Sequence, residues 1–131
     1  MSGDAFTVLR RIMLGLMSRP VSDTEEKPGG FYVIYVVATL TIKPETRAEF
    51  IAAATACIKE TRKEPGNIAY DLHESVTDPT KMVFVEQWEN MDALGPHRAA
   101  EHMKTFGRVA VKCFTAPPRI EYITPEKVET R

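Results

Sequence analysis

The sequence has little that would indicate disulfide, zinc or nucleic-acid chemistry. Its 131 residues include only two cysteines, Cys57 and Cys113, whose spacing forms neither a CxxC pair nor a zinc-binding pattern. The net charge is −1, and the 17 basic and 18 acidic residues are interspersed, so no basic surface is expected. Aromatic residues are not interleaved with Lys or Arg, as a base-stacking surface requires. We therefore expect no nucleic-acid partner.

Long apolar segments and nucleotide-binding motifs are also missing. The longest apolar stretch, residues 31–42, contains Thr39 and Thr41 and is too short to span a membrane. There is no GxGxxG, P-loop or GxSxG motif, so nothing indicates a nucleotide cofactor or an acyl-transfer nucleophile. Cys57 lies at a helical core position, which favours a buried reduced thiol. We expect a cytoplasmic protein with no membrane partner.

The first 30 residues differ in character from the rest. An amphipathic stripe runs from Phe6 to Leu16, and a segment rich in Pro and Gly follows it. A secretory signal, a twin-arginine signal at Arg10-Arg11 and a docked amphipathic helix are the competing interpretations. We favour the docked helix, because the apolar run at residues 12–17 is short for a signal peptide. The expected organisation is an extension at 1–30, one domain at 31–124 and a tail at 125–131.

Hydrophobic periodicity within residues 31–124 predicts the order strand, helix, strand, strand, helix, strand. We expect strands at 31–42, 67–75, 81–89 and 119–124, and helices at 44–63 and from Asn90 towards Cys113, the second interrupted near Gly95-Pro96. This order predicts an α+β fold of the ferredoxin-like βαββαβ type, an antiparallel sheet with both helices on one face. The first strand is apolar on both faces, so a second copy is expected to cover the open face as a homodimer.

Chemically active side chains concentrate between Met82 and Phe106, where a strand carrying Glu86 and Trp88 leads into a helix with two histidines. If Val83 and Val85 pack under the helices, Glu86 faces the opposite cavity and meets His73 across the hairpin. A carboxylate partner would then raise the pKa of His73 and make it a usable base near neutral pH. The alternatives are a surface Glu, a core Trp, two solvated histidines on the helix and a hydrogen-bonded structural histidine at His73.

His97 and His102 are five residues apart, so they share a helix face only if the break near Gly95-Pro96 rotates them. Together with His73 and Glu86 they are the conceivable ligands of a metal ion. No HxxxH or HExxH spacing supports such a site, so none is predicted.

Several motifs in a fixed order carry a family resemblance, namely Glu64-Pro65-Gly66-Asn67, Tyr70, His73, Asp78-Pro79, Val85-Glu86-Gln87-Trp88-Glu89, Ala93-Leu94, His97, His102-Met103-Lys104 and Phe106. Over residues 31–124 the chain resembles the antibiotic-biosynthesis monooxygenase (ABM) domain family, which includes quinol monooxygenases and anthrone oxygenases. The resemblance implies a dimeric α/β barrel. It also implies that a small electron-rich aromatic substrate reacts with O₂ without metal, flavin or haem.

The resemblance also implies roles for individual residues. Asn67 and Trp88 would orient the substrate oxygen, and Glu86 would orient the histidine that acts as the base. That base is left open among three residues, His73, His97 and His102. An apolar wall would be formed by three aromatic residues, Tyr70, Phe84 and Phe106.

Other activities of the family stay open at this point. Relatives that isomerise small hydroxycarbonyl compounds, and members without catalysis, are the alternatives to a monooxygenase. Haem degradation is disfavoured, because Thr39 and Thr41 occupy the first strand where those enzymes use an Asn.

Overall fold

The computed structural model describes residues 33–131, and the predicted helix and linker at 1–30 lie outside them. The elements in chain order are β1 (Ile34–Thr41), α1 (Arg47–Thr61), β2 (Asn67–Glu74), β3 (Lys81–Trp88), α2 (Leu94–Ala99), α3 (Glu101–Cys113) and β4 (Arg119–Ile123). A single 3₁₀ turn, Pro44–Thr46, precedes α1. None of the helices within residues 33–131 is long and apolar enough to cross a bilayer.

The four strands form one antiparallel sheet in the order β2-β3-β1-β4, which confirms the ferredoxin-like α+β fold. Helix α1 buries one stripe of its surface, Phe50, Ala54, Cys57 and Thr61, as the spacing of these residues predicts. The Phe50 ring meets Phe106 of α3 edge-on at a centroid distance of 5.6 Å. The core therefore lies between the sheet and these two helices.

The two faces of the sheet differ in burial, and this difference corrects the predicted orientation of the hairpin. Phe84, Glu86 and Trp88 are buried on the helix side of β3, whereas Val83 and Val85 are half-buried on the opposite face. The prediction that Val83 and Val85 lie under the helices is wrong. Both faces of this strand offer apolar residues, so hydrophobicity alone could not decide which one the helices cover.

The proposed contact between His73 and Glu86 is wrong for the same reason. His73 pairs with Val83 in the β2–β3 register, so its side chain shares the face that points away from the helices. His73 is exposed there, while Glu86 is buried on the other side of the sheet. The backbone separates the two groups.

The break in the second helical segment occurs at Ala100 instead of Gly95-Pro96. Pro96 is accommodated in the first turn of α2, where a helix does not need the missing N–H. Ala100 adopts an extended conformation, with φ −65° and ψ 145°, and separates α2 from α3. The chain direction therefore changes between His97 and His102.

Gly66 allows the turn after α1 to pack closely against the loop after β3. Its φ is +84°, and a Cβ at this position would lie 2.6 Å from the Cβ of Ala93. The carbonyl oxygen of Gly66 accepts a hydrogen bond from the backbone N–H of Glu89 at 2.9 Å. The close approach brings Glu64 and the start of β2 near α2.

Replacing Gly66 with Ala should lower the free energy of unfolding by about 1–2 kcal/mol from the left-handed backbone alone, with the contact to Ala93 adding to that loss. Gly95→Ala is the matched control, because nothing lies within 4 Å of a Cβ there. It should raise stability by up to about 1 kcal/mol, because Ala is the better helix former. Urea unfolding measures the free energy of unfolding of wild type and both variants. Equal changes in Gly66→Ala and Gly95→Ala would contradict the close packing of Gly66 against Ala93.

Candidate active site

Glu86 is a carboxyl group buried between the sheet and the helices. It is 6% exposed, and its Oε2 accepts a hydrogen bond from the indole Nε1 of Trp88 at 2.8 Å. Residues i and i+2 of a strand share a face, so the Glu-x-Trp spacing alone sets up this contact. Burial raises the pKa of Glu86 from 4.5 to about 7, against the opposing effects of the Trp88 hydrogen bond and the Arg98 charge.

A row of side chains crosses the helix side of the sheet at the level of Glu86. The strand registers place Tyr70, Glu86, Val36 and Tyr122 side by side. The guanidinium of Arg98, from α2, lies 4.9 Å from the centre of the Tyr122 ring. Its Nε is shielded from solvent and has no hydrogen-bond partner among residues 33–131. An unpaired donor therefore lies in the same layer as the buried carboxyl.

The three predicted wall residues form one aromatic cluster with Trp88 around this row. Tyr70 lies 5.3 Å from Phe84 and 6.4 Å from Trp88, and Phe84 lies 5.9 Å from Phe106, measured between ring centroids. All four are buried. Burial holds the pKa of Tyr70 well above its usual range, so its hydroxyl stays protonated near neutral pH. Their contact with a substrate stays a prediction.

Glu64, His97 and His102 form a second polar cluster, from the turn after α1, from α2 and from α3. His97 Nδ1 lies 3.0 Å from Glu64 Oε2 and 3.2 Å from Oε1. His102 Nε2 lies 2.5 Å from Glu64 Oε1, but the two groups are not aligned as a hydrogen bond requires. Burial lowers the pKa of His97, against the opposing effect of the Glu64 carboxylate.

The two clusters are joined by aromatic contacts. The His97 ring lies 4.7 Å from Trp88 and 5.4 Å from Tyr70, measured between centroids. On the other side of the second cluster is a cavity of about 260 Å³, lined by Glu64, Pro65, Ala93, Pro96, Ala100 and His102. Polar groups thus extend from this cavity to the Glu86 carboxyl.

Most of the predicted site residues lie together on the helix side of the sheet, in the two clusters and the aromatic cluster. Asn67 starts β2 opposite Trp88, and its Nδ2 donates to the carbonyl of Ala69 at 3.1 Å, across a β-bulge. His73 lies apart from the clusters, on the exposed face.

Glu64, the partner of both histidines, has no role among the predictions made from the sequence. Glu86 was expected to orient a histidine, but it accepts its hydrogen bond from Trp88, and Glu64 contacts both His97 and His102. Glu64 directly follows the charged end of the predicted helix, so its sequence position indicates a solvent-exposed side chain. Its position directly before Pro65-Gly66, where the chain reverses towards the sheet, was the available signal.

The fold and the buried polar clusters define a small ferredoxin-like α+β domain, and comparison with known families agrees. Residues 33–109 match the family model described as antibiotic biosynthesis monooxygenase, so the chain belongs to that family. YcnE of Bacillus subtilis, provisionally named a monooxygenase, is 32% identical over 85 residues, which are 65% of this chain and 90% of that protein.

Solved structures share the fold. Rv0793 of Mycobacterium tuberculosis superposes with a TM-score of 0.70 at 26% identity, covering 75% of this chain and 99% of that one. A conserved protein of Methanosarcina mazei reaches a TM-score of 0.71 at 27% identity, covering 73% and 95% of the two chains. The family resemblance and the fold predicted from the sequence are confirmed.

The buried carboxyl makes stability depend on pH. Glu86 binds its proton more tightly in the folded state, with a pKa of about 7 against 4.5. The stabilisation that comes from this tighter proton binding is therefore fully present below pH 4.5 and is lost as the pH rises through about 7. The loss in the free energy of unfolding is about 3 kcal/mol. Glu86→Gln should stabilise the protein relative to wild type more at pH 8 than at pH 5, by a difference of this order. Urea unfolding of both proteins at both pH values measures this difference. The same stabilisation by Glu86→Gln at pH 5 and pH 8 would contradict the burial of an ionisable group.

Proposed function

We propose that this protein is a monooxygenase that oxidises a quinol, polyphenol or similar electron-rich aromatic compound with O₂, without metal or flavin at the reacting centre. The observation that carries the proposal is the Glu86 carboxyl, buried beside Trp88 and raised in pKa to about 7. A base of this pKa is near its optimum at neutral pH. Membership of a monooxygenase family supplies the reaction class.

In the proposed reaction, Glu86 takes the proton of a ring hydroxyl and leaves a phenolate. The phenolate passes one electron to O₂, and the resulting superoxide combines with the ring radical to form a hydroperoxide at a ring carbon. Loss of water from this group leaves a carbonyl, so one oxygen atom enters the product and the other leaves as water. Glu86 returns its proton to the peroxide oxygen, and the hydrogen of the same ring carbon leaves as a proton when water departs. The substrate supplies all four electrons that reduce O₂, two when the hydroperoxide forms and two when the O–O bond breaks, so no external reductant is needed.

Arg98 is proposed to stabilise the anions formed on this path. Its charge already favours the ionised form of Glu86, and its Nε lacks a hydrogen-bond partner within residues 33–131. A phenolate or superoxide oxygen would satisfy this donor, and a charge-assisted hydrogen bond in a site shielded from water is strong. Tyr70, Phe84 and Phe106 would supply the apolar wall. His97, which packs against the Trp88 ring, is proposed to hold the indole in place.

The first test is oxygen uptake by wild type and Glu86→Gln over a panel of quinols and phenols in chelator-treated buffer. We expect wild type to consume O₂ and the variant to lose about 10²-fold or more in kcat/KM, the usual contribution of a positioned base. Wild-type kcat/KM should rise with pH through about 7 as Glu86 ionises, and this rise should be absent from the variant's residual activity.

Glu74→Gln is the matched control, because Glu74 is a surface carboxylate of the adjacent strand that pairs with Arg47. It should retain activity. A lack of uptake by wild type across the panel, or full activity of Glu86→Gln, would overturn the proposal. An isomerase of small hydroxycarbonyl compounds would instead turn over under anaerobic conditions, where the proposed reaction stops.

A homodimer is proposed from the sheet face that the helices leave uncovered. Tyr35 and Val37 of β1 and Val83 and Val85 of β3 are half-buried there, and Val37 pairs directly with Val85. Two such sheets packed face to face would bury this apolar surface and give the dimeric barrel implied by the family resemblance.

Val85→Asp should convert the dimer to a monomer, because a charge would be buried without a partner at the centre of the proposed interface. Analytical ultracentrifugation measures the change. Ala56→Asp, on the exposed surface of α1, is the control and should remain dimeric. A wild-type monomer, or a Val85→Asp dimer of unchanged affinity, would contradict the proposed interface.

The proposed location is the cytoplasm. Cys57 and Cys113 are both buried free thiols, and unpaired cysteines fit a reducing compartment.

A further inference from the structure

Glu64, His97 and His102 have the composition and the geometry of a metal site. Two imidazoles and one carboxylate are a ligand set that binds Zn²⁺ in known proteins. The three potential ligand atoms all lie within 4.8 Å of one another. Ligands bound at about 2.0–2.2 Å around one tetrahedral ion are roughly 3.3–3.6 Å apart. His97 Nδ1, at 3.0 and 3.2 Å from the carboxylate oxygens, is already near that spacing.

The environment of His102 Nε2 is the second observation that indicates a bound metal ion. Its Nε2 is shielded from solvent and makes no aligned hydrogen bond with any residue between 33 and 131. A buried polar nitrogen without such a bond is costly. The same nitrogen lies 2.5 Å from Glu64 Oε1. An ion bound by both atoms would hold them at the wider spacing of metal ligands, so they would separate by roughly 1 Å on binding, and each lone pair would gain a partner.

The cluster also leaves room for a further ligand. Glu64 and His102 line the cavity of about 260 Å³, so an ion held by the three side chains would have one open direction. Three protein ligands with one open position is the arrangement of sites that keep a bound water. His97 is buried, and the side chains of Glu64 and His102 are 15% and 21% exposed, so the ion would be partly enclosed.

We propose that Glu64, His97 and His102 bind one divalent transition-metal cation of the Zn²⁺ type. Imidazole ligands favour such ions over Mg²⁺ or Ca²⁺, which prefer oxygen-only sites. The ion would join the turn after α1 to α2 and α3. This site is separate from Glu86, so the proposed oxidation does not require it.

Trp88 provides a direct readout of this site. It is the only tryptophan in the chain, and its indole ring lies 4.7 Å from the imidazole ring of His97. Coordination of His97 should therefore change the intensity of Trp88 fluorescence. The binding should also raise the melting temperature, because the folded chain alone presents the three ligands together.

The test is calorimetric titration of ZnCl₂ into the full chain without a histidine tag, after removal of metal with EDTA. Wild type should bind one Zn²⁺ per chain with a change in Trp88 fluorescence. His102→Ala and the near-isosteric Glu64→Gln should each weaken binding at least about tenfold. His73→Ala is the matched control, because it removes an exposed imidazole on the opposite sheet face, and its affinity should equal that of wild type.

Circular dichroism confirms that each variant is folded, and Glu64→Gln keeps the test decisive if His102→Ala does not fold. Co²⁺ in place of Zn²⁺ should give visible absorption of a four-coordinate site without the thiolate band that Cys57 or Cys113 would add. No binding by wild type, undiminished binding by Glu64→Gln, or loss of binding in His73→Ala would overturn the proposal. Oxygen uptake in chelator-treated buffer is measured separately, so the two proposals can fail independently.

Discussion

Burial of a single carboxyl group determines most of the chemistry of this domain. Glu86 faces a layer of aromatic rings, where an ionised carboxylate loses hydration that one indole hydrogen bond replaces only in part. The proton is therefore held to a pKa of about 7, although Arg98 favours its release. Many small domains would place an apolar residue at such a strand position. A carboxyl at this position lowers stability above neutral pH. A role in proton transfer would explain why an ionisable residue occupies it.

The surroundings of Glu86 are fixed by backbone features at a distance from it. Gly66 has a positive φ that lets the turn after α1 approach Ala93, and Ala100 is extended and ends α2. Together these two positions bring Glu64 and both histidines to one place. His97 then packs against Trp88, the hydrogen-bond donor to Glu86. A change in the histidine cluster can therefore reach the carboxyl through two contacts.

The order and type of the elements followed from the sequence because periodicity and turn residues are local signals. The spacing of the apolar residues in α1 and the apolar first strand each predicted an element that the structure contains. The side of the sheet that holds Glu86 did not follow, because Val83 and Val85 made the other face of β3 equally suited to burial. Which face meets the helices depends on packing across the whole sheet.

The partner of the histidines could not be predicted for a related reason. Sequence spacing predicts the relative position of His97 and His102 only if their helix is continuous. The helix breaks at Ala100, and alanine is a strong helix former that gives no signal of a break. Glu64 is 33 residues from His97, and only the folded chain places the two side chains together. By contrast, the Glu86–Trp88 pair follows from a spacing of two on a strand, so it could have been inferred once the strand was assigned.

The most direct test of this account is the pKa of Glu86 itself, measured by NMR from the pH dependence of the ¹³C chemical shifts of the glutamate carboxyl groups. The resonance that is missing in Glu86→Gln assigns the group. We predict a midpoint at about 7, well separated from that of the exposed glutamates. A midpoint near 4.5, the ordinary value, would mean that Glu86 is ionised and solvated at neutral pH, and would contradict its proposed role as the base.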